Sequence, residues 1–144
     1  MISFFSEETP FCLKQRNLRK AWLKQIAHNH DYEIQNLTYI FCSDDYLLNI
    51  NRQYLGHDYY TDIITFNNGE SAMMVDGDAF ISIDTVTANG NDYGEGFEQE
   101  LTRVMAHGLL HLVGFNDLTV EQQAEMRIQE NLAIELWKSL TTSL

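Results

Sequence analysis

The stretch Phe97–Asp117, FEQELTRVMAHGLLHLVGFND, decides how this chain folds. Leu101, Val104, Met105 and Leu109 recur at helical spacing, and Glu98 and Glu100 stand in the first turn, where carboxylates complement the helix dipole. The pattern predicts a helix over Phe97–Val113, stopped by Gly114 in the left-handed conformation that glycine adopts freely. His107 and His111 then project from one helical face, their Cβ atoms roughly 5–6 Å apart. The turn at Gly114 can carry the chain back, so that Asp117 joins them as a third ligand at the helix C-terminus. Two imidazoles and a carboxylate suit zinc, and three protein ligands leave a fourth position for water. The competing reading is an ordinary amphipathic helix end that carries two histidines. Against it, Leu109, Leu110, Leu112 and Val113 surround them with apolar residues, among which unpaired imidazoles are costly.

Outward from this helix, the rest of the chain reads as strands early and helices late. Ile2–Phe5 is a short strand candidate, and Asn17–His30 places Leu18, Trp22, Leu23 and Ile26 on one helical face. Leu37–Cys42, Thr61–Phe66 and Ala79–Ile83 are rich in β-branched and aromatic residues and read as strands, the last two separated by a polar turn region with Gly69 and Gly77. Asp44–Tyr54 and Asp84–Asp92 read as helices. Thr119 with Gln122 makes a capping box for a last helix over Val120–Leu140, with Ile128, Leu132, Leu136 and Leu140 as its apolar stripe and Ala133 and Trp137 alongside. The expected fold is α+β: a small mixed four-stranded sheet packed with about five helices in one domain spanning residues 1–144.

Hydrophobic residues make up 44% of the chain and charged residues 21%, which is globular rather than disordered composition. A net charge of −12 argues against surface-wide attraction to nucleic acid and leaves room only for a local cationic patch. Lys14, Arg16, Arg19, Lys20 and Lys24 could form such a groove, or simply a solvated helix face. MISFFS at the start has neither a basic region nor a long apolar run, and no stretch approaches a membrane span, so a cytoplasmic protein without membrane contact is expected. Cys12 and Cys42 form no CxxC and read as buried thiols rather than a disulfide.

The spacing H-x3-H-x2-G-x2-D matches that of metzincin proteases, but those need a glutamate directly after the first histidine as general base. Gly108 stands there and cannot take a proton. HGLLHLVG instead matches the HGxLHLxGxDH motif of the YbeY family, and the chain resembles that family over most of Asp44–Trp137. YLGHDYYTDIITF (Tyr54–Phe66) is similar to the family's YRGKDxPTDVLSF, GDAFIS (Gly77–Ser82) to its GDIxIS, and Glu125, Met126 and Glu130 also follow its pattern. The departures are Asp117 in place of a third histidine, Asn116 for the preceding aspartate, Leu55 for an arginine thought to assist catalysis, His57 for a lysine and Tyr60 for a proline.

The resemblance implies a zinc-dependent endoribonuclease that cleaves single-stranded RNA in the maturation of ribosomal RNA, with the small ribosomal subunit as partner. It implies one Zn2+ per chain on His107, His111 and Asp117. His57, Asp62 and Arg103 are the catalytic candidates: His57 as a phosphate donor or proton shuttle, Asp62 as a polar group bordering the cleft, Arg103 as a cation one turn before His107. Tyr59 and Tyr60 could stack on bases or pack over the core. The alternatives are a non-catalytic ribosome-assembly factor with a structural metal, or a metallohydrolase of another substrate class.

Overall fold

In a computed structural model that describes residues 1–69 and 71–143, the apolar runs pair into one four-stranded sheet. Its strands are β1 (Ile2–Glu7), β2 (Glu33–Cys42), β3 (Ile63–Asn67) and β4 (Met74–Ser82), in the order β1-β2-β4-β3. The first three of that order run parallel, and β3 returns antiparallel along β4. The described residues also form five helices: α1 (Arg16–Asn29), α2 (Asp44–Ile50), α3 (Ile83–Asp92), α4 (Phe97–Leu112) and α5 (Val120–Thr142). The architecture is therefore the expected α+β fold with a mixed sheet. No described helix is long and apolar enough to cross a membrane.

Side chains alternate across a strand, so the sheet has two unlike faces. Leu37, Tyr39, Phe41, Val75, Ala79 and Ile81 join Trp22 and Leu23 of α1 and Met105 and Leu109 of α4 in the main core. The opposite face is smaller: Cys42 and Ile64 pack there against Leu47 of α2. Burying a side chain such as Leu109 or Ile81, both fully enclosed, is worth roughly 1.5–3 kcal/mol. This main core fixes α4 against the sheet, and α4 carries the two histidines.

Gly108 explains how closely α4 can lie. A Cβ at this position would stand 2.8 Å from Ile63 Cδ1 and 3.4 Å from Thr65 Cγ2. Position 108 thus faces the sheet, and a glutamate there would point into β3 rather than toward the histidines. A proton acceptor at this position would therefore not reach the histidines.

Several boundaries differ from the sequence reading. Strand β4 begins at Met74, so Gly77 lies within it rather than in a turn. A Cβ there would meet the Phe66 carbonyl oxygen at 2.7 Å and Leu112 Cδ2 at 2.9 Å, and only glycine allows that approach. Thr61 and Asp62 precede β3 instead of starting it. The helix expected to reach Tyr54 is α2 followed by a single π-turn, Asn51–Leu55, which ends at Gly56 with φ 68°.

Helix α5 packs through part of the expected stripe: Leu136 and Leu140 lie against the core beside Ala133 and Trp137. Ile128 and Leu132 are exposed, while Met126, Glu130, Ala133, Ile134 and Trp137 are buried. A stripe at constant i, i+4 spacing drifts about 40° per step on a helix of 3.6 residues per turn, so it cannot stay on one contact line for three steps. Arg19 is also inside. It stacks over Trp137 with 3.7 Å from Cζ to the ring centroid and donates to Thr102 Oγ1 at 3.0 Å, so it is no part of a cationic surface. Of the cysteines, both free, Cys42 is buried and Cys12 is exposed.

Candidate metal centre

The C-terminus of α4 builds the site. Phe115 N–H donates to the Leu110 carbonyl at 3.0 Å and Gly114 N–H to the His111 carbonyl at 3.1 Å, the paired bonds of a Schellman turn. Gly114 takes φ 101°, as its position after the last periodic residue predicted. This turn presents the Phe115 carbonyl to His111 Nδ1 at 2.9 Å. The following loop is held by the Thr119–Gln122 capping box of α5 and by Gln123 Nε2, which donates to the Asp117 carbonyl at 3.1 Å. Asp117 is therefore fixed between two helix ends.

The three predicted ligands converge. His107 Nε2 and His111 Nε2 are 2.9 Å apart, and Asp117 Oδ2 lies 3.4 Å from the first and 3.3 Å from the second. These separations match the roughly 3.3 Å edge of a tetrahedron with metal–ligand bonds of about 2.0 Å. The surroundings also fix the tautomers. His111 Nδ1 faces a carbonyl, which can only accept, so it carries the proton. His107 Nδ1 stands 2.8 Å from Glu130 Oε2 and donates to that carboxylate. Both Nε2 lone pairs then face each other and the Asp117 carboxylate. Three donor atoms brought this close suit a shared cation, and the donor set could hold a metal ion.

The electrostatics agree. Burial disfavours the charged form of His107, but the hydrogen bond and charge of Glu130, with Asp62 and Asp117, outweigh it and raise its pKa. Burial would raise the Glu130 carboxyl; the hydrogen bond and charge of His107, with Arg103, lower it instead. Asp62 is pushed up by burial and only partly restored by His107.

Two clefts flank the triad and meet at Asp117. The first, of about 270 Å³, is polar and is lined by His107, Asp62, Asn89, Tyr93, Arg103 and Arg127. Arg103 is nearly enclosed there, with Glu130 at 3.2 Å, Asn131 at 3.0 Å and Glu95 at 3.4 Å. The second, of about 390 Å³, runs along β3 past Thr61, Ile63, Leu55 and His57 to His111. Asp62, Arg103 and His57 thus all border the triad, but from two sides. Lys14, Arg16, Lys20 and Lys24 line neither cleft, so the basic segment around α1 is not part of the site.

The model of the endoribonuclease YbeY family matches residues 4–138. This chain belongs to the YbeY family. An endoribonuclease YbeY of Cytophaga hutchinsonii is 49% identical over 137 residues, covering 95% of this chain and 96% of the relative. One of Phocaeicola vulgatus is 42% identical over 136 residues, covering 94% of this chain and 98% of the relative. The solution structure of a Thermotoga maritima protein superposes with a TM-score of 0.70 at 26% identity, over 99% of this chain and 93% of the other. The YbeY family is one of endoribonucleases by name, and the site described above lies within the matched region.

The partners of the ligands were not read as such from the sequence. Glu130, the Phe115 carbonyl, Arg127 and the carboxylates around Arg103 emerge only in the fold. A signal for Glu130 does exist: it stands on the same helical face as Met126, Ala133, Ile134 and Trp137. An acidic residue on a core-facing stripe needs a buried partner.

Proposed function

We propose that this protein is a zinc-dependent endoribonuclease that cleaves single-stranded RNA, with one Zn2+ held by His107, His111 and Asp117. The observation that carries the metal is the convergence of two Nε2 lone pairs and a carboxylate oxygen within 4.8 Å of one another. The open sides of the triad, facing two clefts, favour a catalytic over a closed structural site. A divalent cation held there would supply Lewis acidity toward a phosphoryl oxygen or water.

The chain's own residues have distinct tasks in this reading. Glu130 and the Phe115 carbonyl orient the imidazoles and keep their Nε2 atoms free of protons. Arg103, locked among Glu95, Glu130 and Asn131, positions Glu130 rather than substrate. Asp62 lines the same cleft as His107 and its carboxyl is raised by burial, which suits it to take and return a proton. Arg127 is 60% exposed in its side chain and lines the same cleft, so it is placed to meet the phosphate charge that the arginine replaced by Leu55 would otherwise meet. His57 borders the other cleft.

The family resemblance supports ribosomal RNA as the substrate, met on the small ribosomal subunit in the cytoplasm. The test uses metal-free protein to which zinc is restored, assayed on a single-stranded RNA and its duplex. Zinc-dependent cleavage of the single strand, abolished by His111→Ala, is expected. Cleavage that survives that substitution, or none with zinc present, refutes the proposal.

A further inference from the structure

We propose that His57 and Tyr59 form a base-stacking subsite, which seats a nucleobase of single-stranded RNA beside the phosphate held at the triad. The inference rests on the endoribonuclease reading and names what that site recognises. The cleft that starts at His111 and Asp117 ends at these two rings. Among the described residues that line it, Asp117 is the one carboxylate, and no lysine or arginine is present. Arg52, the cation nearest in sequence, is engaged by Asp58. This side of the triad is therefore poor at holding phosphate by charge. Its lining mixes uncharged polar groups of Asn51, Thr61 and Thr65 with the rings of His57 and Tyr59 and the aliphatic side chains of Leu55 and Ile63, and the two rings offer flat surface to the face of a base.

The pair is preorganised. The two rings are near-parallel, inclined by 20° with centroids 5.2 Å apart, and Tyr59 Oη is 3.0 Å from His57 Nδ1. Asn51, 1% exposed at the start of the π-turn, anchors both residues. Its side chain donates to the Tyr59 carbonyl at 2.9 Å, and its own carbonyl accepts from His57 N–H at 3.2 Å. Yet Tyr59 itself is 56% exposed. A tyrosine whose backbone is pinned while its ring stays open to solvent is a platform and not a core residue. Tyr60 differs, since its hydroxyl donates to Asp45 at 3.2 Å on α2. A base inside a duplex has both faces covered, so the platform also selects for single strands.

The experiment uses zinc-loaded protein and a short single-stranded RNA whose cut position has been mapped with the wild type. It compares that RNA with versions carrying an abasic ribose at either nucleotide flanking the cut. Tyr59→Ala raises KM roughly 10-fold on intact RNA with kcat unchanged, and Tyr59→Phe, which keeps the ring, stays within about two-fold of the wild type. On one of the abasic RNAs, wild type and Tyr59→Ala have equal KM. An unchanged KM for Tyr59→Ala, or a rise that persists on both abasic RNAs, overturns the subsite and leaves the endoribonuclease reading intact. Absence of cleavage by the wild type overturns both.

Discussion

Replacing Glu130 by glutamine perturbs the proposed metal site without touching a proposed ligand. The carboxylate stands 2.8 Å from His107 Nδ1 and also pairs with Arg103 Nη1 at 3.2 Å. Glutamine has nearly the same shape but no charge, and its amide has two orientations. With the oxygen toward His107, the tautomer survives but the hydrogen bond loses its charge assistance and the imidazole becomes a weaker ligand. With the nitrogen toward His107, Nδ1 must accept, the proton moves to Nε2, and Nε2 faces His111 at 2.9 Å as a donor unable to ligate. Both outcomes weaken metal binding, and loss of such an orienting partner costs 10- to 100-fold in affinity, or about 1.4–2.7 kcal/mol. Arg103 keeps Glu95 and Asn131, so the fold survives, whereas alanine at position 130 would leave a larger unpaired charge buried. The assay is zinc competition against a chromogenic chelator near neutral pH, with thermal unfolding of the metal-free protein as control. A zinc affinity within about two-fold of the wild type, at unchanged metal-free stability, would refute the argument that Glu130 sets the ligand's protonation.

Two further outcomes test the packing and the buried charges. Gly77→Ala destabilises the protein by about 1–3 kcal/mol in urea unfolding, because its Cβ would lie 2.7 Å from a backbone oxygen of β3 and 2.9 Å from Leu112; an unchanged midpoint contradicts the close approach of α4. Burial pushes the Glu100 carboxyl from 4.5 up to about 7, with Arg103 partly opposing. The folded protein then binds this proton more tightly than the unfolded chain, so Glu100 lowers stability progressively as pH rises from about 4.5 through about 7. Glu100→Gln accordingly gains melting temperature over the wild type above neutrality but not in acid, and an equal difference at both ends of the range rules this out.

Much of the candidate metal centre was legible because it is local. His107 and His111 are one helical turn apart, Gly114 ends that helix, and the Thr119–Gln122 capping box starts the next. Each of these is set by spacing within a few residues, where helix geometry alone decides which side chains meet. Asp117, between the two helix ends, inherits its place from both. The strand candidates were also readable from β-branched and aromatic runs, although β4 was cut short because Asp76, Gly77 and Asp78 look like a turn. They are strand residues because β2 and β3 pair with them on either side, and that pairing overrides their low strand propensity.

Composition and spacing by themselves determined the helix that carries the histidines, the turn that follows and the chemistry of the donor set. The tertiary structure alone decided what surrounds them. Glu130 reaches His107 across 23 positions of sequence, and Arg19 leaves the surface to stack on Trp137. Gly108 faces Ile63 and Thr65 of β3 rather than the histidines. The apolar stripe of α5 showed only part of the face it buries, Leu136 and Leu140 beside Ala133 and Trp137, since packing selects the line of contact that also gives Glu130 and Arg103 each other. Local spacing can place ligand atoms, because covalent geometry limits where they go. Which acid, carbonyl or arginine completes each of them depends on contacts between distant segments, and only the closed core brings those segments together.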